Sequence, residues 1–119
     1  MSKTLFAACL VTAAIASAPA LADGFARIDS EAEFRELALG HTLYLGDTTA
    51  TVHDGGTMTV VFKGKEIAGT WEWQDGYFCR VLKSYSTKAD CQLWEHDGTD
   101  FRITRDKGDG QGFVYTLEP

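Results

Sequence analysis

The sequence predicts a mainly β fold. One N-terminal helix precedes a seven- to eight-stranded antiparallel meander, which forms a curved sheet or a small lipocalin-like barrel carrying one disulfide. Three observations predict it. Helical spacing of apolar residues occurs once, directly after a capping box. Beyond Gly40 apolar and polar residues alternate, in runs separated by glycine-containing turns. Cys79 and Cys91 are the cysteines that remain after an export signal, and an even number in an oxidising compartment reads as a bridge.

The export signal comes first. Lys3 precedes an apolar run from Leu5 to Ala18, and Ala20-Leu-Ala22 supplies a small-x-small cleavage site. This is the pattern of a secretory signal peptide, too short for a comfortable membrane span. Residues 1–22 therefore read as signal peptide and 23–119 as a single β domain located in the periplasm. Cys9 lies inside the signal, too near the N-terminus and without the expected upstream leucine for a lipoprotein site. Removing 22 of the 119 residues leaves 97, enough for one modest core. Lys3 goes with them, so the formal charge moves from −6 to −7, a balance that argues against nucleic-acid binding.

Ser30-Glu-Ala-Glu33 forms the capping box, and Phe34, Leu37 and Ala38 continue at helical spacing to the stop at Gly40. The helix is expected over residues 31–39. Strands follow near 41–45 and 48–52, then through Met58, Val60 and Phe62, with the Gly64-Lys65 turn setting Phe62 opposite Ile67. Trp73-Gln-Asp-Gly76 suits a three-residue hairpin loop, which sets Trp73 opposite Tyr77 and Trp71 opposite Cys79. Glu95-His-Asp-Gly98 repeats the device, setting Leu93 opposite Phe101 and Cys91 opposite Ile103.

This register keeps one parity. Ile67, Gly69, Trp71, Trp73, Tyr77, Cys79, Val81, Cys91, Leu93, Phe101 and Ile103 face inward, and Arg80, Asp90 and Gln92 face out. Gly69 leaves room for an opposing indole. Phe113, Tyr115 and Leu117 form the last inward stripe. Facing Cys79 with Cys91 gives the cross-strand bridge. A metal or redox pair would call for CxxC spacing or a histidine close in sequence, and neither is present.

Several groups are candidates for function. A meander brings alternate turns to one end, so Lys63, Lys65, Lys83, Lys88 and Lys107 fall on one rim with Arg105, a candidate anion-binding site. The opposite end collects His53-Asp54, Gln74-Asp75 and His96-Asp97, where imidazole beside carboxylate suits acid–base or metal chemistry but equally suits ordinary turns. His41, after the helix, reads as a capping cation. Phe78 and Trp94 fall on the outer face, either covered by Phe34 and Leu37 or exposed as a candidate partner patch. No nucleophile elbow, phosphate loop, zinc signature or dinucleotide fingerprint occurs, and Gly108–Gly112 reads as a loop between strands. No catalytic residue, metal ligand or cofactor is assigned.

Ala68-Gly-Thr-Trp-Glu-Trp-Gln-Asp-Gly-Tyr-Phe-Cys-Arg80, followed by Asp90-Cys-Gln92 and Asp97-Gly98, resembles a group of short exported bacterial β proteins, members of which are often named dihydrodipicolinate reductase. The resemblance implies export and the β architecture over most of the mature chain. The name implies a Rossmann nucleotide site and a separate substrate domain, and this short chain carries no GxGxxG turn. Gly69-Thr-Trp71 also resembles the Gly-x-Trp motif of lipocalins and of exported metalloprotease inhibitors, although here it falls on about the fourth strand rather than the first. An inhibitor would use a segment such as Asp23–Arg27. The expected function is a non-enzymatic periplasmic binding domain for a small anionic ligand. The alternative is a protein-interaction module or inhibitor.

Overall fold

The computed structural model describes residues 23–119, so the predicted signal peptide and Cys9 lie outside the described residues. The helix forms as expected and ends slightly earlier. Helix α1 spans Glu31–Leu37, and the Ser30 hydroxyl accepts from the Glu33 amide at 3.2 Å. A two-residue strand, β1 (Ala26–Arg27), precedes it. The meander has eight strands: β2 (Thr42–Leu45), β3 (Thr48–Val52), β4 (Thr57–Phe62), β5 (Lys65–Gln74), β6 (Tyr77–Val81), β7 (Asp90–His96), β8 (Phe101–Thr104) and β9 (Gly112–Tyr115).

Each strand of the meander pairs antiparallel with the next, from β2 to β9. Tyr44 and Thr116 then exchange backbone hydrogen bonds of 2.8 and 2.9 Å, which draws the two edges together into a nearly closed barrel. Strand β7 departs from β6 after Gln92 and takes β1 as its new neighbour, with Arg27 opposite Glu95. Edge groups that would otherwise invite foreign strands are thus largely paired within the chain.

Turn length decides which residues face the interior. Asp75 and Gly76 both have positive φ, 53° and 86°, and form a two-residue turn with Gln74 opposite Tyr77 and Trp73 opposite Phe78. Asp-Gly supplies the left-handed pair such a turn needs, and its twist matches that of the strands. A loop one residue shorter than the sequence reading assumed reverses every side chain on β6. Phe78 is fully buried in the core and Tyr77 is half-buried outside it. Lys63-Gly64 makes another turn of this kind, pairing Phe62 with Lys65 and Val60 with Ile67.

The disulfide Cys79–Cys91 is present, and its cysteines are directly opposed, with Cα atoms 3.8 Å apart. Because it keeps parity, β7 is reversed along with β6: Gln92 and Trp94 point in, and Leu93 points out. The turn after β7 spans Asp97–Asp100 and pairs His96 with Phe101, Trp94 with Ile103 and Leu93 with Thr104. Its even length restores the original parity, so Phe101 and Ile103 are buried as expected. Leu117 leaves the inward stripe and is exposed. The space beside Gly69 holds Leu82 rather than an indole: a methyl at that glycine would lie 2.6 Å from Leu82 Cδ2.

The core occupies the helix end of the barrel. Phe34, fully buried, meets the rings of Trp71, Trp73, Phe78 and Trp94 with centroids 5.1–5.3 Å apart. Helix α1 thereby acts as a stopper. Arg35 of the helix binds Asp54 at 2.9 Å, and Arg27 of β1, just before it, donates to the Gly76 carbonyl at 3.0 Å, so the helix and the strand leading into it are each tied to a turn. At the opposite end no such stopper is found among the described residues.

Candidate binding site at the open end of the barrel

Away from the helix, the barrel opens into a cleft of about 540 Å³. Its walls include Leu45, Val60, Phe62, Leu82, Phe113 and Tyr115, and its polar groups include Arg80, Lys88, Asp90 and Arg105. A smaller cavity of about 70 Å³ shares Val60, Arg80, Leu82 and Tyr115 with its lining and also touches Gln92 and Trp94. The volume of the larger cleft is in the range of small-molecule pockets, roughly 300–1,000 Å³. A cleft of about 350 Å³ beside the disulfide lies on the outer wall, and the residues that line it include no lysine or arginine.

The reversal of β6 and β7 builds this site. Phe78 and Arg80 follow one another along the inner face of β6, with Leu82 just beyond its end, and Asp90, Gln92 and Trp94 do so along β7. On β7 the side chains form a relay. The Trp94 indole N–H donates to Gln92 Oε1 at 3.1 Å, and Gln92 Nε2 donates to Asp90 Oδ2 at 2.8 Å. Gln92 is 4% exposed, so both bonds matter, since a buried amide without partners is costly. Asp90 also accepts from Arg105 Nε at 3.2 Å and from the Asp106 amide at 3.1 Å. Burial pushes the Asp90 carboxyl up. The Gln92, Asp106 and Arg105 hydrogen bonds and the Arg80 charge outweigh that, and hold it below the usual carboxylate value.

Arg80 is the exception to this good pairing. Its side chain is 22% exposed, its closest carboxylate oxygen is Asp90 Oδ2 at 3.8 Å, and among the described residues its guanidinium makes no hydrogen bond. Loss of hydration lowers its pKa from the ordinary arginine value, and Asp90 offsets this only in part. Burial raises the Tyr115 phenol, against the nearby charges of Arg80 and Arg105. The cleft therefore pairs apolar walls with an arginine whose donors are unused. Three cations, Arg80, Lys88 and Arg105, face one carboxylate, Asp90. The chain as a whole carries −6.

The lysines of the predicted rim are all exposed, and they differ in place. Lys88 lines the cleft, and Lys63 lies over the Phe62 ring at its edge, 5.3 Å from the centroid. Lys65 sits opposite Phe62, and Lys83 follows the buried Leu82. Lys107 leaves the rim: its ammonium is 5.5 Å from the ring of Tyr77, at the other end of β6. The short 3₁₀ turn Asp106–Gly108 folds down the outer wall against Leu93 and carries it there.

The candidate partner patch does not exist as a surface. Phe78 is 0% and Trp94 2% exposed, packed together at 4.8 Å beneath Phe34. The His-Asp end is occupied by structural bonds: His53 Nε2 with Thr59 Oγ1 at 3.0 Å, Asp54 with Arg35, and Asp97 with the amides of Thr99 and Asp100. Tyr115 lies on the inward stripe expected from the sequence, whereas Arg80, Asp90 and Gln92 read there as outward-facing and are not singled out. The signal that finds them is the Asp75-Gly76 pair, read as a two-residue turn.

No family model, curated protein or solved structure matches this chain.

Proposed function

We propose that this protein is an exported, periplasmic binding domain that binds rather than catalyses, and that its ligand is a small anion taken into the open end of the barrel. One observation carries this reading: Arg80 is held inside an apolar-walled cleft, largely out of water, with its nearest carboxylate oxygen at 3.8 Å. Burying a cation without hydrogen bonds works against stability, and an anionic ligand supplies the missing partner. The disulfide fits an oxidising compartment. The filled, helix-capped end supports a rigid scaffold that holds the cleft open without a ligand.

The alternative reading, a protein-interaction module or inhibitor, moves from Phe78 and Trp94 to the edge of the same cleft. There Tyr85 is 62% and Phe62 40% exposed. Amide chemical shifts, recorded while a panel of small organic anions and neutral fragments is titrated, test the choice. Shifts gathered on Val60, Phe62, Arg80, Phe113 and Tyr115, weakening as salt rises, are the expected result. A panel that leaves these amides unmoved would overturn the ligand reading in favour of the interaction module.

A further inference from the structure

Taking the open end of the barrel as the ligand site, we propose that the ligand is an organic monocarboxylate on a ring-sized apolar body, its carboxylate meeting Arg80 and its body resting on the wall of Val60, Phe62 and Phe113.

The charge follows from how Asp90 is used. Its Oδ2 accepts from Gln92 and Arg105 and its Oδ1 from the Asp106 amide. Arg105 neutralises Asp90 by direct contact, whereas Arg80 stays at 3.8 Å. Two arginines therefore share one carboxylate, which leaves an excess of one positive charge in the cleft. Lys88 is exposed and screened by solvent, so it adds little. A single negative charge on the ligand completes the site. A second would be brought toward Asp90, in surroundings where like charges repel strongly.

The planar group follows from arginine. A guanidinium presents parallel N–H donors that match the two oxygens of a carboxylate. Tyr115 lines the same cleft, and its neutral phenol adds a donor.

The apolar body follows from the rest of the wall. A bare carboxylate would leave most of a 540 Å³ cleft unused. Phe62 remains 40% exposed at its mouth although it lies on the inward face of β4, and a ring-sized body would cover it. Aromatic residues contribute Phe62, Phe113 and Tyr115 to this surface, which suits the face or edge of a flat ring.

The test uses the protein purified in its oxidised form, with 2-naphthoate, neutral 2-naphthamide and acetate as probes, followed by calorimetry and by amide shifts. Naphthoate is expected to bind at the cleft at least about tenfold more tightly than either naphthamide or acetate, a difference of about 1.4 kcal/mol. Arg80→Gln is expected to bring naphthoate down to the level of naphthamide. The two naphthyl probes are compared on the unaltered protein, so the result stands even if that variant fails to fold. Equal affinity of naphthoate and naphthamide, with shifts at the cleft, would overturn the carboxylate while leaving the cleft as a ligand site. Acetate binding as tightly as naphthoate would overturn the apolar body. Naphthoate bound away from the cleft, or not at all, would overturn this inference, and the wider fragment panel then decides separately whether the cleft takes any ligand.

Discussion

Replacing Phe34 with alanine is expected to cost about 3–5 kcal/mol, toward the upper end of that range for a buried aromatic. Helix α1 has seven residues, and an isolated helix shorter than roughly 12–15 residues is marginal in water. Its place in the fold therefore depends on what it buries, and its buried side chain is Phe34. That ring touches Trp71, Trp73, Phe78 and Trp94, and each aromatic pair is worth about 0.5–1.5 kcal/mol beyond area burial, without simple additivity. Removing the ring leaves a cavity that stiff indoles on paired strands cannot close. Urea unfolding followed by tryptophan fluorescence is a suitable assay, because all three tryptophans contact Phe34. Glu36→Ala, an exposed change on the same helix, is the control and should stay within about 0.5 kcal/mol. If Phe34→Ala costs less than about 1 kcal/mol, or no more than the control, the helix does not stopper the barrel and the account of the core is wrong.

Two further outcomes follow from the inner face. Phe78→Ala should cost about 3–5 kcal/mol, whereas Tyr77→Ala should cost about 1, since it loses exposed contacts with Arg27 and Lys107 at 4.6 and 5.5 Å; denaturation curves that rank them the other way would restore a three-residue turn. Asp90 has a folded pKa below its unfolded value, so its contribution is present above about pH 4 and is lost as the pH falls through the folded value. The stability difference between the unaltered protein and Asp90→Asn should therefore hold steady down to about pH 5 and shrink as the pH falls below about 4, and a difference that stays constant or widens there would refute the relay.

Much of the fold was legible because its signals are local. The Ser30–Glu33 box, the alternation on β4, β5 and β8, and the facing cysteines each depend on a few neighbouring residues, and each is present in the structure. Contact of Phe34 with Phe78 and Trp94 was one of two outcomes the helix face allowed, but it was expected on the outer face, whereas the three rings meet in the core. The sidedness of β6 and β7 was not legible in the same way. It depends on whether the turn at Asp75-Gly76 holds two residues or three, and one residue reverses a whole strand. The cysteine pair then carried the reversal into β7, and the four-residue turn Asp97–Asp100 cancelled it in β8. Correct burial of Phe101 and Ile103 thus gave no warning of the error between them.

That interval is where the candidate site lies. With three residues in the first turn, Arg80, Asp90 and Gln92 are surface polar groups of no special interest. With two, they enter the barrel, and their chemistry changes because water no longer screens them. A barrel shaped for stability alone would put apolar side chains there, since well-packed hydrophobes often do as well as buried ions or better. Gln92 and Asp90 are bonded well enough to be read as structure. Arg80 is not, with only Asp90 at 3.8 Å to offset its burial. Helix α1 stops the opposite end, so the open cleft and the poorly paired arginine lie at the same mouth. The coincidence of the open end with the poorly satisfied cation is what gives this barrel a direction, with scaffold at the helix and the proposed site at Arg80.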